Sequence, residues 1–187
     1  MQNDIHNALQ TLQTGGVILY PTDTVWGLGC DATNEQAIKK IFAIKHRDDA
    51  KSLILLANSL RMVNRYVNEI PDAALKILDV AVEPLTIIYP EGRNLPAVVL
   101  AEDNSIAFRI VDEPFCNELL KRLKKPIVST SANISGQSTP AYFKKITPEI
   151  INAVDYVVAW RQNDITPAKV SSIIKISSTG SIQIIRK

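Results

Sequence analysis

Lys45-His46-Arg47, with Lys51 close behind, is a run of cations placed where an amphipathic helix ends. Ile38, Ile41 and Phe42 form the apolar stripe of that helix, and Lys45 continues it at i+7, i+4 and i+3, so its stem points inward. An extended continuation sets Arg47 on the same side two residues later. Two converging cations at a helix end can clamp an anion or a triphosphate. The competing reading is a solvated basic helix end. Arg109 is a second anomaly, a guanidinium inside the apolar run SIAFRIV, sharing a face with Ala107 and Val111. It forms a structural ion pair on a sheet face, or it grips a carboxylate inside a concave site. Thr22, Asp23 and Thr24 follow the strand-like GVILY directly, and Ser131-Ala132-Asn133 follows PIVST. The carboxyl ends of strands in open α/β sheets face the usual ligand crevice. Hydroxyls and an amide there can read an adenine edge, a ribose or an amino-acid carboxylate, while the bland role of the threonines is a turn cap.

Other chemistries lack their residues. Of the two histidines, His6 sits on the first helix in a solvated position, and His46 has no carboxylate or cysteine partner nearby in sequence. No GxSxG elbow, HExxH pair or GxxxxGK[ST] loop occurs. Gly27-Leu28-Gly29-Cys30-Asp31-Ala32 fits GxGxxA, but PTDTVW separates it from its strand. A dinucleotide fingerprint follows the strand at once, so that the pyrophosphate meets the helix N-terminus. Cys30 and Cys116 stand far apart with no metal spacing, and read as two reduced, packed thiols.

These residues must be positioned by a chain of 187 residues, a length for one domain able to bury a continuous core. With 46% apolar and 21% charged residues it is neither disordered nor fibrous. A net charge of +2 is too balanced for a nucleic-acid coat or a membrane-surface protein. No apolar run approaches a bilayer span and no signal-peptide pattern opens the chain, so a cytoplasmic location is expected. Helices are expected at 4–14, from a Thr33/Gln36 capping box to about 45, at 59–67, 72–82, 114–124 and 142–153. Strands are expected at 16–20, 53–57, 85–89, 105–111 and 126–130, with three more in DYVVAW, VSSIIKI and SIQIIR. Residues 21–32 read as a long functional loop. Interleaved helices and strands with a late strand cluster define an α/β protein with a mixed sheet.

Taken in order, PTDTVWGLGCDA, KHR, IAFRI and STSANISG resemble four blocks of the YrdC-like family, the threonylcarbamoyl-AMP synthases, and VSSIIKI resembles a fifth more loosely. The similarity runs from about residue 12 to residue 186. The resemblance implies a single YrdC-like/RibB-like domain over 1–187, a twisted mixed sheet of parallel and antiparallel strands with flanking helices around a concave, positively lined cavity. It implies a nucleotidyltransferase-type enzyme that condenses L-threonine, bicarbonate and ATP into threonylcarbamoyl-adenylate and pyrophosphate. A separate transferase complex then modifies adenosine 37 of ANN-decoding tRNAs, so tRNA is met weakly or indirectly. Carried over by position, Thr24, Arg109, Ser131 and Ser171 bind threonine. Arg47, Lys51, Asn133 and Arg186 bind ATP, and Lys45 and Arg47 form the catalytic clamp. Mg²⁺ arrives with ATP, without a dedicated protein site. Trp26 replaces the common tyrosine as an aromatic wall, Asp48 replaces the usual proline after KHR, and Ser172 replaces the usual threonine. The end at Lys187, without the C-terminal domain of the longer subfamily, matches the short bacterial type. A non-catalytic RNA-binding module is the alternative, against which the balanced charge stands; KRLKK at 121–125 reads as a solvated helix face. A second alternative is another carbamoyl-nucleotide enzyme, whose longer chains carry zinc-finger cysteines.

Overall fold

The computed structural model describes residues 1–46 and 53–187, so Arg47 and Lys51 lie outside the described residues. Helix α1 (Gln2–Gln13) buries Ile5, Ala8 and Leu12 along one face. It leads to β1 (Ile18–Tyr20), which pairs antiparallel with β2 (Gly27–Gly29). Strand β2 falls inside the stretch expected to be a loop. Its glycines serve strand packing: a Cβ on Gly29 would lie 2.6 Å from the Tyr20 ring and 2.8 Å from the Val128 carbonyl oxygen. That crowding, rather than a dinucleotide turn, accounts for the GLG sequence. Helix α2 (Glu35–Ile44) is capped by Asn34, whose side chain accepts from the Ala37 N–H. The cap is thus one residue later than expected, because Thr33 spends its hydroxyl on Asp31 Oδ1 at 2.7 Å.

The chain continues through β3 (Ile54–Ala57), α3 (Leu60–Val63), α4 (Asp72–Val80), β4 (Leu85–Tyr89) and β5 (Ile106–Ile110). Then come α5 (Pro114–Leu123), with Pro114 in its first turn, and β6 (Ile127–Ser131). Helix α6 (Pro148–Ala153), β7 (Tyr156–Val157), β8 (Ser172–Ile176) and β9 (Ile182–Arg186) complete the fold. The helices expected at 59–67 and 142–153 are shorter than their patterns, and DYVVAW contributes a two-residue edge strand. Among the described residues one sheet runs in the order β7-β1-β2-β6-β3-β5-β4-β8-β9. Strands β1/β7, β3/β5 and β4/β8 pair in parallel and the other neighbours antiparallel, so the sheet is mixed.

The main core lies where α1, α2 and α5 cover the sheet, with Ile5, Ile38, Phe108, Phe115 and Leu119 buried. Each such side chain contributes about 1.5–3 kcal/mol of burial. A second apolar cluster holds Leu19, Trp26, Leu28, Ala132, Ile134 and Ile150. Trp26 belongs there, its ring 4.8 Å from that of Phe143, and is not a wall of the main cavity. Cys30 and Cys116 are free thiols in the core, and burial pushes both above the usual thiol range. His6 is exposed, and His46 stands 3.6 Å from Glu149 at the surface. No helix among the described residues is long and apolar enough to cross a membrane.

Candidate functional site

The twisted sheet is concave across its centre, and the hollow encloses about 270 Å³. Its floor is a row of residues in register, Ser129, Ile54, Ala107 and Ile88, from β6, β3, β5 and β4. Two residues further along β5, on the same face, stands Arg109.

The Arg109 side chain is 5% exposed. Its Nη2 lies 3.0 Å from Asp23 Oδ1, itself on a side chain 8% exposed, and 3.4 Å from Thr22 Oγ1. The contact with Asp23 is a charge pairing without an aligned hydrogen bond, and Arg109 Nε has no hydrogen-bond partner. The ion-pair reading of Arg109 therefore describes the molecule. One edge of the fork forms a buried ion pair, and the residue also lines the cavity.

Thr24 is set by its neighbour. Thr22 Oγ1 is 2.8 Å from the Val25 carbonyl, which takes its single proton, and it accepts from the Thr24 N–H at 3.0 Å. Thr24 Oγ1, 3.0 Å from Thr22 Oγ1, then donates to it and keeps its lone pairs for the cavity. On the opposite wall Ser171 is almost fully buried, its Oγ 2.8 Å from that of Thr86. Arg186 donates from Nε and Nη2 to the Ser171 carbonyl at 2.9 and 2.8 Å. The register between β8 and β9 advances one residue on β8 while β9 advances two, making Ile185 the extra residue of a bulge. Bulges re-aim side chains, and this one brings both Ile185 and Arg186 to the cavity. Burial, and then the positive charge of Arg109, lower the Arg186 pKa. Two guanidiniums that repel each other across a hollow favour an anion between them.

Thr24, Arg109, Ser131, Ser171 and Arg186 thus meet in one cavity. Lys45 and Asn133 do not line it. Lys45 is 3% exposed, as its inward-facing position on the stripe predicts, but its Nζ donates to the carbonyls of Ser131 and Asn133 at 2.6 and 2.7 Å. Asn133 Nδ2 donates to the carbonyls of Ile134 and Gln137, both at 2.9 Å. These two residues shape the loop that presents Ser131. Thr86, which supports Ser171, carries no motif signal; its one trace in the sequence is a hydroxyl in the apolar LTIIY, opposite Arg109 in register. Among the described residues no carboxylate lines the cavity, and no cluster of three or more His, Cys, Asp or Glu could hold a metal ion.

A mixed α/β sheet with an electropositive, hydroxyl-lined hollow defines a domain that binds a small polar molecule bearing a negative charge. The Sua5/YciO/YrdC family model, described as telomere recombination, matches residues 10–187, and the chain belongs to that family. It is 36% identical over 160 residues to a threonylcarbamoyl-AMP synthase of Pseudoalteromonas translucida, covering 84% of this chain and 86% of that one. It superposes on P. abyssi Sua5 complexed with L-threonine with a TM-score of 0.82 at 25% identity, over 92% of this chain and 50% of that one. E. coli YciO shares the fold with a TM-score of 0.86 at 24% identity, over 100% of this chain and 90% of that one.

Proposed function

We propose that this chain condenses L-threonine, bicarbonate and ATP into threonylcarbamoyl-adenylate, releasing pyrophosphate, and so supplies the threonylcarbamoyl group for tRNA modification. The observation that carries the reading is Arg109, a buried guanidinium that lines one cavity together with the hydroxyls of Thr24, Ser131 and Ser171. A free amino acid offers a carboxylate for that guanidinium. The lone pairs of Thr24 suit its nitrogen, and Ser131 and Ser171 suit the side-chain hydroxyl of threonine. The relatives named threonylcarbamoyl-AMP synthase and the threonine complex of P. abyssi Sua5 support the same substrate.

In the reaction the threonine nitrogen attacks the bicarbonate carbon and water leaves, giving a carbamate. A carbamate oxygen then attacks the α-phosphorus of ATP. The bond to the β-phosphoryl oxygen breaks and pyrophosphate departs with the electron pair, a nucleotidyl transfer. The chain needs no covalent nucleophile for this. Arg109 and the hydroxyls hold the amino acid, with Thr24 accepting from its N–H and leaving the nitrogen lone pair free to attack, and Arg186 adds positive charge where phosphate charge accumulates. Arg47, Lys51 and Asn133 are assigned to the nucleotide on the family resemblance, and Lys45 holds the Ser131 loop. A lining of hydroxyls and guanidiniums suits Mg²⁺ only as part of its ATP complex, where the ion neutralises phosphate charge. The product passes to a transferase complex, and the near-neutral chain itself meets tRNA weakly, in the cytoplasm where ATP and threonine are found.

The test supplies ATP, bicarbonate and each amino acid in turn to the purified protein and measures pyrophosphate. Release is expected with L-threonine and bicarbonate together and with neither alone. ATP turnover indifferent to the omission of threonine overturns the assignment.

A further inference from the structure

Arg161 lies on the connection that leaves β7 at one edge of the sheet and crosses to β8 near the other. Its backbone is left-handed, with φ at 65°, a conformation unfavourable for a residue with a Cβ. The side chain shows what holds it there. Nη1 donates to the Thr22 carbonyl at 3.0 Å, and Nη2 and Nε donate to Asp164 Oδ2 at 2.9 and 3.3 Å. Glu113 Oε1 is 3.9 Å from Nη1 and accepts from Trp160 Nε1 at 3.2 Å, while Glu113 Oε2 caps α5 at the Cys116 N–H. Asp164 is fixed in turn, since its other oxygen accepts from the Thr166 N–H at 2.9 Å.

A guanidinium anchored by two carboxylates therefore holds one backbone carbonyl, and that carbonyl belongs to Thr22. The Thr22 hydroxyl in turn touches the Thr24 N–H, the Thr24 hydroxyl and Arg109 Nη2. Displacing Thr22 displaces both the acceptor and the cation assigned to the amino acid. We infer that Arg161 is a positioning residue for the amino-acid subsite, fixing the Thr22–Thr24 turn from outside the cavity. The inference rests on the threonine reading above.

The test titrates L-threonine and, separately, ATP into wild type, Arg161→Gly and Arg161→Lys by calorimetry. Glycine accepts the left-handed backbone without strain, so Arg161→Gly removes the guanidinium and keeps the local path. Threonine Kd is expected to rise about tenfold in Arg161→Gly, the equivalent of one charge-assisted hydrogen bond, with ATP Kd changed less than about twofold. Arg161→Lys keeps one donor for the carbonyl and recovers part of the threonine affinity. Threonine Kd within about twofold of wild type in Arg161→Gly overturns the inference, as does equal weakening of threonine and ATP. A wild type that binds no threonine overturns the function and this inference together.

Discussion

Arg109 and Asp23 bury opposite charges against each other, and the cost of that burial is visible in what each would leave behind. Arg109→Met removes the cation and strands Asp23, whose remaining contact is the Asp112 N–H at 3.4 Å. Loss of one partner from a buried pair costs about 3–5 kcal/mol. Urea unfolding should show a loss of that size in Arg109→Met, and part of it should return when Asp23→Asn is added. Threonine binding should not return with the stability, because the carboxylate ligand is gone. Restored binding in the double variant would contradict the role given to Arg109. The anomaly of this residue was legible in the sequence because a guanidinium interrupts an otherwise apolar strand. Its partner was not, since Asp23 is 86 positions away and only the fold brings the two together. Lys45 shows the opposite case. Its stripe predicted burial, yet periodicity carries no information about which buried acceptors an ammonium finds, and these include the carbonyls of Ser131 and Asn133.

Elements were legible where their own apolar pattern specifies them. Helix α5 follows its pattern to within a residue, with Pro114 opening it and Leu119, Leu120 and Leu123 facing inward. Strand β2 was hidden because two of its three residues are glycines, which have no apolar period, and neighbouring β1 and β6 define it instead. The bulge at Ile185 was hidden for a related reason, since register belongs to a strand pair rather than to one strand. The attachment of α1 gives an element-scale prediction. Burial raises the Asp4 pKa, but the Ala159 N–H, the Tyr156 hydroxyl and the N-terminal ammonium outweigh it and hold the carboxyl below its ordinary 3.8. A lowered carboxylate stabilises the fold above its ordinary pKa, and that stability is lost as pH falls through the lowered value. Asp4→Asn should therefore be less stable than wild type at neutral pH and should lose less stability on acidification below about pH 4. Parallel urea midpoints across that range check it, and parallel pH profiles for the two proteins would contradict it.

At the scale of the molecule, the cavity draws on residues from Thr24 to Arg186 and on strands β2 to β9, so it exists only when nearly the whole sheet has formed. The sheet sets two guanidiniums among hydroxyl side chains, and the second apolar cluster and the Lys45-held loop flank the Ser131 wall. Three of the four family-like blocks, PTDTVWGLGCDA, IAFRI and STSANISG, carry residues that line this hollow, and Lys45 of the fourth holds the Ser131 loop. On the proposed function, the hollow joins three small molecules into one. Mass analysis of the nucleotide product formed from ATP, L-threonine and isotopically labelled bicarbonate tests this. An adenylate that carries the threonine mass and one labelled carbon is expected, formed together with pyrophosphate. An adenylate of threonine without the label, or AMP and pyrophosphate with no threonine-bearing product, would contradict it.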